Sequence, residues 1–545
     1  MPSCVYRERI ETLPSDPPDL ALGAFSAEGP WIVEPDRLVW RRGLDRDRAR
    51  TRAGVPGLLE AGRLPPVGRL ARALTSVGVA LAGWYLVERP RGGEVSRRGL
   101  SRRLRRAFER LGSSYVKLGQ ILSSGEGLFP EELVGEFKLL RDQVPPEPFD
   151  DVRTLVEREL GARLGAVFAS FDEQPLAAAS IAQVHAARLR SGEDVVVKVQ
   201  RPRVAELVRA DLGAMAWLAP RLVGRIPIAA LANPPALVEL FAETVVEELD
   251  FRLEAENMLD IAAVLATTGQ RAIVVPRPHP TLVTRRLLVM ERLHGFAFDD
   301  VESMRAAGID TGALLRAGLI AFLEGALLFG VFHGDLHGGN LLVQRDGRTA
   351  LLDFGITGRL AEPERVAFLR LLVMGSAGDV RGQVAALRDL GAFPPETDLE
   401  AVVRDLDLEG PVKDPTTMSA DELTAELGEL TRKLLGYGAR APKELMLFVK
   451  NMIFLDGATA TLAPDLDILG EIAHVYLYFV REHGERIARE LGLDPARPVE
   501  LDIDAVRASL GVGDQVERLT YRDVQRRRET VRERLRERRG PSGPE

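Results

Sequence analysis

Apolar residues recur at steps of three and four along most of this chain, and in one central stretch they alternate at steps of two. Leu100, Leu104, Phe108, Leu111, Tyr115, Leu118 and Leu122 form such a stripe, which predicts one long amphipathic helix with a basic outer face. Before it, residues 68–87 have the content of a helix. Their apolar core, 73–87, is about fifteen residues long, short of the roughly twenty that span a bilayer, and predicts a buried or interfacial helix. Helical segments over 130–165 are broken at Pro145-Pro146 and Pro148. The period then changes. Residues 168–171, 182–189 and 194–200 carry the β-branched, alternating pattern of strands, with Ser191-Gly192 as a hairpin turn. A helix is predicted over 236–257, with Leu237, Phe241, Val245, Leu249 and Leu253 on one face, and strands over 272–275 and 287–290 complete the same small sheet. Beyond Gly295 the helical period returns at 314–329, 363–374, 424–435, 442–462 and in a charged tail at 521–539.

Composition narrows the class. The 545 residues are 46% hydrophobic, enough for a substantial interior, and the first 66 mix Pro, Gly and Arg with little periodicity, as a loosely organised extension does. A net charge of −8 gives no pull toward nucleic acid. The single cysteine, Cys4, excludes an intrachain disulfide and a thiolate zinc cluster and suits a reducing compartment. The start lacks a signal-peptide pattern, so the expectation is a cytoplasmic protein in which residues 68–87 either lie peripherally along a membrane surface or pack on the protein's own body; the sequence assigns no oligomeric state.

Candidate chemistry sits in two short stretches, His333-Gly-Asp-Leu-His-Gly-Gly-Asn340 and Leu351-Leu-Asp-Phe-Gly355. Asp335 is placed to position a hydroxyl or water, and Asn340 and Asp353 supply the hard oxygen donors magnesium prefers. His333 is expected to orient the loop rather than exchange protons, and His337 has no assigned role. Upstream, Val195-Val-Val-Lys198 ends a strand after a hairpin, the setting in which a lysine meets the α- and β-phosphates of ATP. Glu248 borders the buried face of the 236–257 helix, either turned inward to orient Lys198 or paired on the surface with Arg252. Asp250 and Glu254 taken singly read as exposed carboxylates. The loop before the second strand, Ala177-Ala178-Ala179-Ser180, holds no glycine, so it would cover phosphates more stiffly than a Gly-rich loop. Glu291 and Leu293, just past the 287–290 strand, complete the nucleotide-binding candidates. The order lysine, glutamate helix, Asp/Asn loop, Asp-Phe-Gly predicts an α+β, protein-kinase-like bilobal fold with a small antiparallel-sheet N-lobe, a helical C-lobe and added N-terminal helices. The expected divisions are 1–99, 100–175, 176–294 for the N-lobe, 295–400 for the C-lobe, 401–510 for further helices and 511–545 for the tail.

These stretches resemble the UbiB (AarF) family of atypical protein-kinase-like proteins, bacterial relatives of the coenzyme Q supporting kinases. Lys117-Leu-Gly119-Gln120 resembles the family's K-x-G-Q motif, the alanine run its alanine-rich loop, Glu248-Leu-Asp250 its E-x-D motif, and 333–340 its H-A-D-P-H-P-G-N loop. The resemblance implies that Lys198 pairs with Glu248, that Lys117 meets Glu254, and that the K-x-G-Q helix, with Lys117, Gly119, Gln120 and Glu254 as regulatory residues, covers the cleft where a protein substrate would dock. It further implies ATP with magnesium as cofactors and phosphoryl transfer linked to isoprenoid quinone metabolism. Gly334, Leu336 and Gly338 stand where the family has Ala and two Pro, which predicts a looser loop, and Ala182 stands where glycine is common. The membrane-spanning pair found at the C-terminus of some members is not expected here.

Gly355 is followed within eight residues by Pro363 and a predicted helix, leaving little length for a peptide-docking segment. The expected acceptor is therefore water or a small lipid-like hydroxyl. A protein kinase, or a nucleotide-switched scaffold without productive transfer, are the alternatives.

Overall fold

The computed structural model describes residues 34–60, 67–123, 130–140, 145–222, 234–408 and 442–494 without a break, together with 24–26, 31, parts of 416–439, 500–510, 512–513 and 515–537. The chain divides into two compact units, one of residues 28–259 with 276–293, the other of 1–27, 260–275 and 294–545.

The first unit is built on an antiparallel sheet. Phe168–Phe171, Ala182–Leu189, Asp194–Gln200, Leu287–Glu291 and Pro278–Val283 lie side by side in that order, and Ala177–Ala178 pairs onto the second of them. The first three strands fall where the alternation predicts. Val195, Val197 and Val199 are buried against Leu287 and Val289 and against Val152, Leu155 and Val156 of helix Phe149–Leu160. Because side chains alternate along a strand, Lys198 is sent to the opposite face. A second core joins Leu111 and Tyr115 to Val208 and Leu212 of helix Val204–Leu222 and to Phe241 and Val245 of helix Pro234–Glu248.

Three expectations need correction here. The stripe from Leu100 to Leu122 is two helices, Gly93–Leu111 and Ser113–Ser123, because Gly112 takes φ +100, which an L side chain rarely adopts. The helix expected over 236–257 is also two. It stops at Glu248, and Phe251–Thr267 begins after Leu249 and Asp250, a break held by Gln200 donating to the Leu249 carbonyl and the Phe251 amide donating to Arg285. The apolar helix near the N-terminus runs over Val67–Val87, as expected for 68–87, but where its apolar stretch read as too short to span a bilayer, the whole helix is long and apolar enough to cross a membrane. Thr311–Phe329 and Lys443–Leu462 also meet that measure, although more than half of the former is buried in the protein.

The second unit holds a four-stranded sheet in the order Ile273–Val274, Thr349–Leu351, Leu341–Val343, Phe296–Ala297. The strand expected at 272–275 therefore belongs to this sheet, parallel to Thr349–Leu351, and not to the first. Helix Thr311–Glu324 is capped by the Asp310 carboxylate, widens into a π turn at Gly325–Phe329, and delivers the chain into strand Val331–His333, which pairs with Thr357–Arg359. Part of the helix expected over 424–435 lies outside the described residues.

Beneath strand Val331–His333 lies an apolar cavity lined among others by Leu314, Gly318, Phe322, Leu336 and Phe454. A methyl group at Gly318 would meet no heavy atom within 4 Å. Replacing a helix-interior glycine by alanine removes about 0.5–1 kcal/mol of backbone entropy cost. Gly318→Ala should therefore stabilise the protein by that amount, read as a higher denaturant midpoint; a lower midpoint would contradict the space seen at this position.

Candidate functional site

In the first unit, Lys198 Nζ lies 2.7 Å from Glu254 Oε1, and both side chains are nearly buried. The ammonium also stands 5.5 Å from the centre of the Phe251 ring. Lys117 Nζ forms a separate ion pair with Glu248 Oε1 at 2.7 Å. The structure thus exchanges the partners expected from the resemblance. The break at Leu249–Asp250 is the cause: Glu248 ends one helix, Glu254 lies in the first turn of the next, and only the second is set beside the strand that carries Lys198.

Asp250 and Glu254 are not exposed as single carboxylates would be, since each retains 5% or less of its exposure. Asp250 accepts from the Arg252 backbone amide at 3.2 Å and from its guanidinium at 2.8 Å, so Arg252 is engaged there and with Asp47 rather than with Glu248.

Gly119 packs against the following turn, where a Cβ would fall 2.2 Å from Leu140 Cδ1, and Gln120 donates a long bond of 3.4 Å to the Leu140 carbonyl. The alanine-rich loop is a tight turn in which the Ala179 amide donates to Ala182 at 2.8 Å. Ala177 is exposed, Ala178 and Ala179 are half-buried, and Ser180 is buried. Arg201, which the sequence did not single out, pins this turn by donating to the Ala179 carbonyl at 2.9 Å and to Glu147 at 2.8 Å. Glu291 is buried with its carboxylate accepting from the Arg277 amide at 3.3 Å, and Leu293 is half-buried two residues on.

In the second unit, His333 is buried and bridges both motifs. Its Nδ1 accepts from the Asp335 amide at 3.1 Å, which leaves Nε2 to donate to the Asp353 carbonyl. Burial is the main force holding this imidazole below its usual pKa, and a neutral ring is what those two bonds require. Asn340 donates through Nδ2 to the Asp335 carbonyl at 3.1 Å, which turns its amide oxygen to other work. Asp353 Oδ1 accepts from Gly355 N at 2.9 Å, and Phe354 is fully buried 5.5 Å from the His333 ring. His337 is exposed and caps the short turn at Gly339.

Two residues that contact this loop escaped the sequence reading. Helix Lys443–Leu462 brings Lys450 Nζ to 2.5 Å from Asp335 Oδ1, and beside it the fully buried Asn451 accepts from the Leu336 amide at 2.9 Å and donates to the His333 carbonyl. The available signal was a Lys-Asn pair inside an otherwise apolar run from Leu445 to Leu455. At position 336 the bond runs against the expectation of a looser loop. A proline there would have no amide hydrogen, so leucine adds an anchor that proline could not supply.

A lysine bound to a helix carboxylate in a sheet unit, followed by an Asp/Asn loop tied to Asp-Phe-Gly in a second unit, defines a kinase-like protein. Comparison with known proteins supports the same class. Residues 139–386 match the ABC1 atypical kinase-like domain. An uncharacterized protein of Mycobacterium tuberculosis is 36% identical over 441 residues, covering 76% of this chain and 88% of that protein. An uncharacterized aarF domain-containing protein kinase of Arabidopsis thaliana is 34% identical over 67% of this chain and 72% of its own, and a probable protein kinase UbiB of Marinobacter nauticus is 34% identical over 71% and 70%. The chain belongs to the ABC1 family of UbiB/aarF atypical kinase-like proteins.

Proposed function

We propose that this protein binds Mg-ATP and transfers the γ-phosphoryl group to water or to a small lipid-like hydroxyl, in support of isoprenoid quinone metabolism. The observation that carries the reading is the pairing of a complete donor set with a short segment behind it: His333 bonds the backbone of Asp335 and of Asp353, Asn340 donates to the Asp335 carbonyl, and Gly355 is followed at once by strand Thr357–Arg359 and helix Glu362–Ser376. That spacing leaves no length for a peptide platform of the protein-kinase kind.

Magnesium suits the residues present. Among the described residues no cluster of three or more His, Cys, Asp or Glu would hold a metal alone. An ion held by the Asp353 carboxylate, the Asn340 amide oxygen, water and nucleotide phosphates needs none. When bound it would neutralise the charge developing on the transferred phosphoryl group. Lys198, oriented by Glu254, would meet the α- and β-phosphates, and Asp335 would receive the acceptor's proton. Among the described residues nothing bonds the Leu293 amide or carbonyl, which supports it as an adenine contact.

Helix Val67–Val87 exposes Val67, Leu74, Val79, Tyr85 and Leu86, an apolar surface that supports peripheral contact with a bilayer and access to lipid-like acceptors. The test is ATP turnover by the full chain with and without magnesium, liposomes and phenolic quinone-precursor analogues. Magnesium-dependent turnover raised severalfold by liposomes or analogues is expected. Tight ATP binding without turnover under every condition would instead favour a nucleotide-switched scaffold.

A further inference from the structure

The loop from His333 to Asn340 contains no lysine or arginine, although a transferring phosphoryl group calls for a fixed cation beside it. Lys450 answers that need from a helix 115 residues downstream, with its ammonium on the carboxylate of Asp335. Resting on the Mg-ATP reading above, we propose that Lys450 is the missing cation of the catalytic loop, fixing the Asp335 carboxylate and bridging it to an oxygen of the γ-phosphoryl group.

Three features of the contact support this. An ammonium carries three donors, and the contact with Asp335 uses one, leaving two for a phosphoryl oxygen. Lys450 and Asp335 keep 29% and 24% of their side-chain exposure, so the pair faces space a ligand can enter and is not sealed as a structural pair would be. The neighbouring Asn451, with no exposed surface, bonds the backbone on both sides of Asp335, at His333 and Leu336. That clamp sets the register between helix and loop, so the lysine is held opposite Asp335 by its neighbour and not by its own flexible stem. Asn451 is accordingly a positioning residue, and Lys450 the group that meets substrate.

The test compares wild type, Lys450→Met, Lys450→Arg and Asp353→Asn in the full chain. Its readouts are kcat and KM for Mg-ATP, melting temperature, and the affinities for a non-hydrolysable ATP analogue and for ADP with aluminium fluoride, which mimics the transferring group. Removing one donor to a developing oxyanion lowers turnover about 10²–10³-fold. Lys450→Met should lose that much in kcat with KM and analogue affinity within about twofold, bind ADP–aluminium fluoride at least tenfold more weakly, and be partly rescued by Lys450→Arg. Turnover in Lys450→Met within about threefold of wild type, with Asp353→Asn inactive, would overturn the role of Lys450 and leave the enzyme reading standing. Parallel loss of melting temperature and kcat without rescue by arginine would reduce Lys450 to a structural contact, which also overturns the proposal. A wild-type chain with neither turnover nor nucleotide binding would remove the Mg-ATP reading itself. If nucleotide binds without turnover, equal ADP–aluminium fluoride affinity in wild type and Lys450→Met overturns the proposal, and a selective loss in the variant upholds it.

Discussion

Asp353→Asn should abolish magnesium-dependent ATP turnover while leaving the fold intact. Asparagine keeps an oxygen in the place of Oδ1, so the bond from the Gly355 amide, 2.9 Å long here, can persist. His333 bonds the backbone carbonyl of residue 353, and the substitution does not touch that atom. What is lost is one negative charge on the only carboxylate assigned to the ion. A metal that neutralises transferring phosphate contributes several kcal/mol to the transition state, and each 1.36 kcal/mol is tenfold in rate, so a fall of about 10²–10⁴-fold follows. Phosphate release measured across a magnesium titration, with melting temperature as the control for folding, checks it. Turnover within tenfold of wild type would mean that Asp353 does not hold the ion.

The second large effect separates the observed ion pairs from those the resemblance implied. Glu254→Gln removes the carboxylate 2.7 Å from the nearly buried Lys198 ammonium, and breaking one side of a buried pair costs about 3–5 kcal/mol because the remaining charge stays desolvated. Lys198 would then no longer be oriented by that carboxylate, and kcat/KM for Mg-ATP should drop by about 10²-fold or more. Glu248→Gln breaks the similarly buried contact with Lys117 but leaves Lys198 with Glu254, so its cost falls on stability and its loss of kcat/KM should stay under about tenfold. The two variants are ranked by kcat/KM side by side. Had Lys198 paired with Glu248, the ranking would be reversed, and a greater loss in Glu248→Gln would refute the arrangement seen here.

Much of the fold was legible because the relevant signals are local. Val195, Val197 and Val199 alternate with Lys198, and that period alone placed the strand and sent the lysine to the face away from the core. Asp335 and Asn340 lie five residues apart in one loop, with Asp353 on the next hairpin, so a short stretch of chain carries the whole donor set. Breaks in helices were harder to read. Gly112 and the Leu249–Asp250 junction interrupt stripes whose apolar spacing continues through them, and each break is decided by backbone geometry or by long-range bonds from Gln200 and to Arg285. Strand Ile273–Val274 was assigned to the wrong sheet for a related reason: two apolar β-branched residues state that a strand exists and say nothing of its partner.

The sequence by itself determined the class of protein, the strand bearing Lys198, and the loop bearing Asp335, Asn340 and Asp353, since periodicity and loop chemistry act over a few residues. Only the tertiary structure decided which glutamate holds Lys198, which lysine stands on Asp335 and what anchors the Leu336 amide. Those contacts join residues 56 and 115 positions apart, and the packing that selects among equally charged candidates exists only once the chain has folded.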